Sequence, residues 1–221
     1  MKNKTQQFIN GFTLAEVLIT LVIIGVIAAL TIPTAINNMK EQEFKSQFKK
    51  TYSTIVQAMN KTELNDFYGY AQCYYGVDGV ENQMTECPAF FDAFAKNLQV
   101  QKVCRGNSLA DGCVPVYKSY NTASGCSYFN ENNISNNNHT FVLSDGQIII
   151  PWRVNAGGMA LFLVDINGHK GPNAYGKDLF SFSLLRSETS GVYMGYGRCE
   201  FRVSGGKTTE QMIQYSLAGK K

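Results

Sequence analysis

Residues 11–33 read "GFTLAEVLITLVIIGVIAALTIP", and the apolar run from Phe12 to Ile32 constrains this chain more than any other feature. Its 21 residues match the hydrocarbon core of a bilayer at about 1.5 Å per helical residue. Such a run makes an all-round apolar helix that needs lipid or other helices to cover it. It also contains Glu16. A carboxylate at the centre of a membrane helix costs roughly 2.5 kcal/mol or more on insertion scales. The acid therefore needs a positive partner, a proton, or a route to the headgroups nearby.

The run is not a secretory signal. A signal has an apolar core of roughly 7–15 residues followed by a small-residue cleavage site. This run is longer, and Ala28, Ala29 and Ala35 do not give the required spacing. A plain anchor, with Lys2 and Lys4 on the cytoplasmic side, accounts for the length but not for Glu16 or the abrupt polar-to-apolar switch at Gly11–Phe12.

Those residues resemble the N-terminal signature of type IV prepilins and type II secretion pseudopilins. The shared features are a short basic leader, Gly11, Phe12, an acid at the fifth position after the glycine, a long apolar run and then Pro33. The resemblance covers about 25 residues. It implies cleavage by a prepilin peptidase between Gly11 and Phe12, and methylation of the new Phe12 amine. Glu16 would then meet the Phe12 amine of a neighbouring subunit as filaments form. It further implies an inner-membrane anchor before assembly, an extracytoplasmic C-terminal domain, and an inner-membrane assembly platform and membrane lipids as partners. The expected segments are a leader over 1–11, a transmembrane half-helix over 12–33, an amphipathic half-helix over 34–60 and a globular domain over 61–221. The alternative is a single-pass anchored binding module that never polymerises.

Beyond the membrane run, Phe44, Phe48, Tyr52, Ile55, Val56 and Met59 recur at helical spacing, with Lys40, Glu41, Glu43, Lys45, Lys49 and Lys50 largely between them. Phe12 to Met59 is about 70 Å of helix, with Pro33 expected to kink or locally melt it. Residues 88–100 read as a short helix opening at Pro88. Asp145–Gly146 lies between apolar runs, a hairpin signal, and further strand patterns follow at 159–168, 178–186 and 191–197. The fold class expected is α+β and pilin-like: a long kinked N-terminal helix packed on a C-terminal antiparallel sheet. Residues 61–135 read as irregular apart from the short helix.

Six cysteines all follow the apolar run, on the oxidising side if it anchors the chain. Cys104 and Cys113 flank eight residues containing two glycines and an aspartate, so the chain turns easily enough to join them. Cys126 precedes the expected sheet and Cys199 follows it, so Cys126–Cys199 would tie the loop region to the sheet's far end, and Cys73–Cys87 is left by elimination. Buried thiols are the alternative reading. The segment 165–178, "DINGHKGPNAYGKD", offers Asp165, Asn167, Asn173 and Asp178 as calcium ligands. It is no EF-hand, because Gly176 stands where the bidentate Glu belongs. The competing reading is a turn held by Asx hydrogen bonds and glycines at positive φ.

Enzyme chemistry finds no support. His139 and His169 are the only histidines, and no phosphate loop, Gly-x-Ser-x-Gly or metalloprotease spacing occurs. Removal of residues 1–11 leaves 18 basic against 17 acidic residues, which argues against a nucleic-acid groove despite Trp152–Arg153 and the many tyrosines.

Overall fold

A computed structural model describes residues 13–65, 88–105, 107–118, 140–155, 159–187, 191–196 and 203–217. Cys73, Cys87, Cys126 and Cys199, together with Gly11 and Phe12, lie outside the described residues. The chain separates into two units, Met1–Glu43 and Phe44–Lys221.

The first unit is helical. Helix α1, Leu14–Asn65, opens here and passes through Pro33 without interruption. Leu14, Leu18, Leu21, Val22, Ile24, Leu30 and Ile32 are all more than half exposed, so no single face of this helix is the buried one. That is the surface of a helix built to be covered by lipid or by its own kind.

In the second unit the amphipathic part of α1 meets a six-stranded antiparallel sheet in sequential order. The strands are β1 (Val100–Cys104), β2 (Thr140–Leu143), β3 (Ile148–Asn155), β4 (Met159–Asp165), β5 (Leu179–Ser187) and β6 (Gly191–Tyr196). The described residues of this unit also form two short helices, α2 (Pro88–Lys96) and α3 (Thr209–Leu217). The stripe read from the sequence is the packing face of α1. Phe48, Ile55 and Met59 are buried, with Phe44, Tyr52 and Val56 at the margin. Phe48 lies edge-on to Phe180, with ring centroids 5.0 Å apart, and 5.8 Å from Phe182, which stacks on Phe162 at 5.9 Å. Phe91 and Phe94 of α2 and Met212 of α3 close the same core.

Both faces of the sheet are covered. Ile149, Phe162, Val164, Phe180 and Phe182 point to the helical side. Their neighbours Ile148, Ile150, Leu163 and Leu179 enter a second cluster with Val114, Tyr117 and Tyr175. Side chains alternate across a strand, so burial on both faces explains the unbroken "III" of β3 and the imperfect alternation of β5.

The β2–β3 hairpin turns at Asp145–Gly146 as the sequence indicates. Gly146 sits at φ 88°, its N–H donates to Leu143 O at 2.9 Å, and Lys50 of α1 pairs with Asp145 at 2.8 Å. Two elements differ from the sequence reading. Strand β1 falls where an irregular region was expected. Its exposed Gln101 and Lys102 hide the period-2 signal, because it is the edge strand beside β2. Helix α3 lies in a stretch with no assigned structure. Its start is a capping box, in which Thr208 N–H donates to Gln211 Oε1 at 2.9 Å and Gln211 N–H to Thr208 Oγ1 at 3.0 Å.

Phe48 is fully buried between α1 and two strands, so Phe48→Ala should destabilise this unit by about 3–5 kcal/mol. Chemical denaturation followed by far-UV circular dichroism checks it, and a loss below about 1 kcal/mol would show that the α1–sheet contact is not the core.

Candidate functional site

Among the described residues, two places carry polar chemistry that packing alone does not explain. The first is the start of α1. Thr13 is the N-cap, and its N–H and its hydroxyl both donate to Glu16 Oε2 at 2.8 Å. Glu16 N–H returns a bond to Thr13 Oγ1 at 3.3 Å. This is a reciprocal capping box of the Thr-x-x-Glu type. It occupies helix N–H groups that have no partner within the helix, and it places a negative charge at the positive end of the helix dipole. The carboxylate is therefore held at the very start of the apolar helix and stays exposed there. The Thr-x-x-Glu signature was legible in the sequence, but Glu16 drew attention only as an acid and its threonine was missed.

The second place is the polar loop between β4 and β5. Asp165 and Asp178 are both fully buried at its two ends. Asp165 Oδ1 accepts from Asn167 N–H at 3.1 Å and from Gly168 N–H at 2.7 Å. Asp178 accepts from Asn173 N–H at 2.7 Å and Ala174 N–H at 2.8 Å. Asn167 Nδ2 donates to Gly171 O at 2.8 Å. Gly168 has φ 64°, and a Cβ there would lie 2.1 Å from Gly146 O, so only glycine lets the loop press against the β2–β3 turn. The loop thus brings together Asp165, Asn167, Asn173 and Asp178, the four residues singled out from the sequence, while Lys170 is carried outward to solvent.

Asx turns and positive-φ glycines account for much of this geometry, but not for all of it. Asp165 Oδ2, Asn167 Oδ1 and Asn173 Oδ1 are buried and accept no hydrogen bond. Each such atom costs about 1–3 kcal/mol unless something meets it. The Tyr117 hydroxyl is set against Asp165, although its geometry falls short of a strict hydrogen bond. Burial, and then the nearby charge of Asp178, push the Asp165 carboxyl up to about 8. Burial also raises Asp178, against the pull of its backbone N–H donors. Two buried acids, amide oxygens and a phenol form an all-oxygen donor set, which suits a hard cation such as calcium rather than a soft metal. Tyr117 was missed because it lies in a segment that reads as irregular.

Of the expected disulfides, Cys104–Cys113 is present, with the two Cα atoms 6.3 Å apart. It closes the turn anticipated from the sequence and ties residues 107–113 to the end of β1.

A long helix that is apolar at its start and amphipathic further on, packed there on an antiparallel sheet and led by a capped acid, is a pilin-like α+β architecture. Comparison with known proteins agrees. Residues 9–32 match the family described as the prokaryotic N-terminal methylation motif. The chain is 32% identical over 81 residues to the type II secretion system core protein G of Aeromonas hydrophila, across 36% of this chain and 54% of that protein. The chain thus spans about half the length of the curated relative it matches. No solved structure matches it. The chain thus carries a prepilin-type N-terminal methylation motif and is similar over part of its length to a type II secretion pseudopilin.

The raised carboxyls fix a pH dependence. An acid whose folded pKa lies above its unfolded value near 3.9 binds more protons when folded, so stability is lost as pH rises towards the folded pKa. With chelator present, the second unit should lose stability between about pH 4 and pH 8, and Asp165→Asn should flatten that loss. Thermal melting across this range checks it. An unchanged slope in the variant would remove Asp165 as the cause.

Proposed function

We propose that this protein is a filament subunit of a type IV pilus or type II secretion pseudopilus, processed after Gly11 and assembled through its apolar helix. The observation that carries this reading is an acid capped at the first turn of a helix whose apolar surface is exposed all round. Cleavage between Gly11 and Phe12 by a prepilin peptidase would create a positive amine four residues from Glu16. Opposite charges in a low-dielectric setting favour pairing, so helices from different subunits would pack with Glu16 of one against the Phe12 amine of the next. Before assembly the apolar half-helix over 12–33 would sit in the inner membrane, in contact with lipids and the assembly platform, with the globular domain over 61–221 outside. Pro33 would let the helix bend within a filament.

A second reading is attached to the loop 165–178, and it too is ours. The buried, unpartnered oxygens favour a calcium ion held by Asp165, Asn167, Asn173 and Asp178. Bound there, calcium would supply two positive charges to two neighbouring carboxylates and lock β4 to β5.

Mass spectrometry of the mature protein should find an N-methylated Phe12 as the first residue. A chain starting at Met1, or beyond Ile32, would overturn the processing claim and favour the non-polymerising anchor. Glu16→Gln keeps the size and removes the charge. It should remain in the membrane while filament yield in sheared fractions falls by about tenfold or more, the effect of losing roughly 1.4 kcal/mol per contact. Assembly at the unsubstituted level would refute the pairing.

A further inference from the structure

The loop 165–178 is not self-contained. Residues 107–118 are fastened at one end to β1 and at the other to this loop. At one end Cys113 is bonded to Cys104 of β1, and the N–H groups of Cys113 and Val114 both donate to Ser108 O, at 2.8 and 3.2 Å. At the other end Lys118 N–H donates to Asn173 O at 2.7 Å, and Tyr175 N–H reaches Lys118 O at 3.4 Å. The segment therefore bridges the disulfide to the backbone of a proposed calcium ligand in a few residues.

Between these anchors sits Tyr117. Its neighbours Val116 and Lys118 are exposed, yet Tyr117 is fully buried among Ile148, Ile150, Leu163 and Tyr175. An apolar pocket of that kind holds a phenylalanine ring equally well. The hydroxyl is the unexplained group, because it lies beside Asp165, whose Oδ2 accepts no hydrogen bond. A phenol is a neutral hydroxyl at neutral pH, and its oxygen keeps a lone pair free to meet a cation.

We infer that Tyr117 is a fifth oxygen of the cation site, and that the Cys104–Cys113 disulfide positions it, so that disulfide and cation binding are thermodynamically coupled. The inference rests on the calcium reading of the loop. A hard cation gathers six to eight oxygens, and a neutral phenol adds one without adding to the repulsion between the Asp165 and Asp178 carboxylates. The bond restricts where residues 114–117 can travel, so less ordering is left for the cation to impose. Coupling of this kind is reciprocal: whatever factor the disulfide adds to cation affinity, the cation adds to the stability of the disulfide-bonded form.

Isothermal titration of calcium chloride into the full chain in detergent, after chelation and dialysis, tests this. The unsubstituted protein is compared with Tyr117→Phe, with the pair Cys104→Ala and Cys113→Ala, and with all three together. Tyr117→Phe should weaken calcium binding about fivefold or more without lowering the melting temperature in chelator. The double cysteine variant should also bind more weakly. Adding Tyr117→Phe to it should cost less than Tyr117→Phe costs alone, since the disulfide acts through that side chain. If the unsubstituted protein binds calcium and Tyr117→Phe binds within twofold of it, the inference falls and the calcium reading stands. Full additivity, or unchanged affinity without the disulfide, overturns the coupling. No calcium binding by the unsubstituted protein overturns both readings. Should the cysteine variant fail to melt cooperatively, the Tyr117→Phe titration decides alone.

Discussion

An ionisable side chain at the head of an apolar helix is the constraint from which the rest follows. Glu16 is costly in hydrocarbon, and the helix that carries it cannot face water. Thr13 resolves part of the conflict locally, by giving the carboxylate its own backbone N–H and its hydroxyl as donors. The cap leaves the charge in place and fixes where it stands. A carboxylate so held can act as a geometric marker, because any cationic group that pairs with it must reach the first turn of the helix. In the proposed assembly this is what would turn a non-directional apolar contact into one with a defined stagger.

The second unit solves a different problem. Its sheet is buried on both sides, by helices on one and by connecting segments on the other. Helices cover one face with few backbone groups to satisfy. Connecting segments cannot, because each irregular residue brings an N–H and a C=O that need partners. Asp165, Asp178 and Asn167 meet that demand by accepting from or donating to the loop's own backbone. Supplying those acceptors forces two carboxylates together in a buried place. The excess negative charge, and the oxygens left over, are the physical ground for the cation reading.

Much of this was legible from residues alone. The apolar run, the amphipathic stripe at Phe48, Tyr52 and Ile55, the Asp145–Gly146 hairpin, the strand patterns that follow it, and the Cys104–Cys113 turn all carry local signals, and local signals survive in sequence. Strand β1 was hidden because an edge strand exposes most of its residues and loses its alternation. Tyr117 was hidden because its burial depends on Val114, on Ile150 and on a disulfide, none of which its own neighbourhood in sequence announces. The four proposed loop ligands could be picked out as oxygen-bearing residues. That three of their oxygens are buried and unsatisfied is a property of the fold alone.

The central claim is that Glu16 works between subunits. A cryo-electron microscopy map of sheared filaments, at a resolution that shows side chains, tests it most directly. The account expects apolar helices in the filament core and the Glu16 carboxylate within about 3 Å of the Phe12 amine of an adjacent subunit. Filaments in which Glu16 faces outward, or in which its only partner is Thr13 of its own chain, would contradict it.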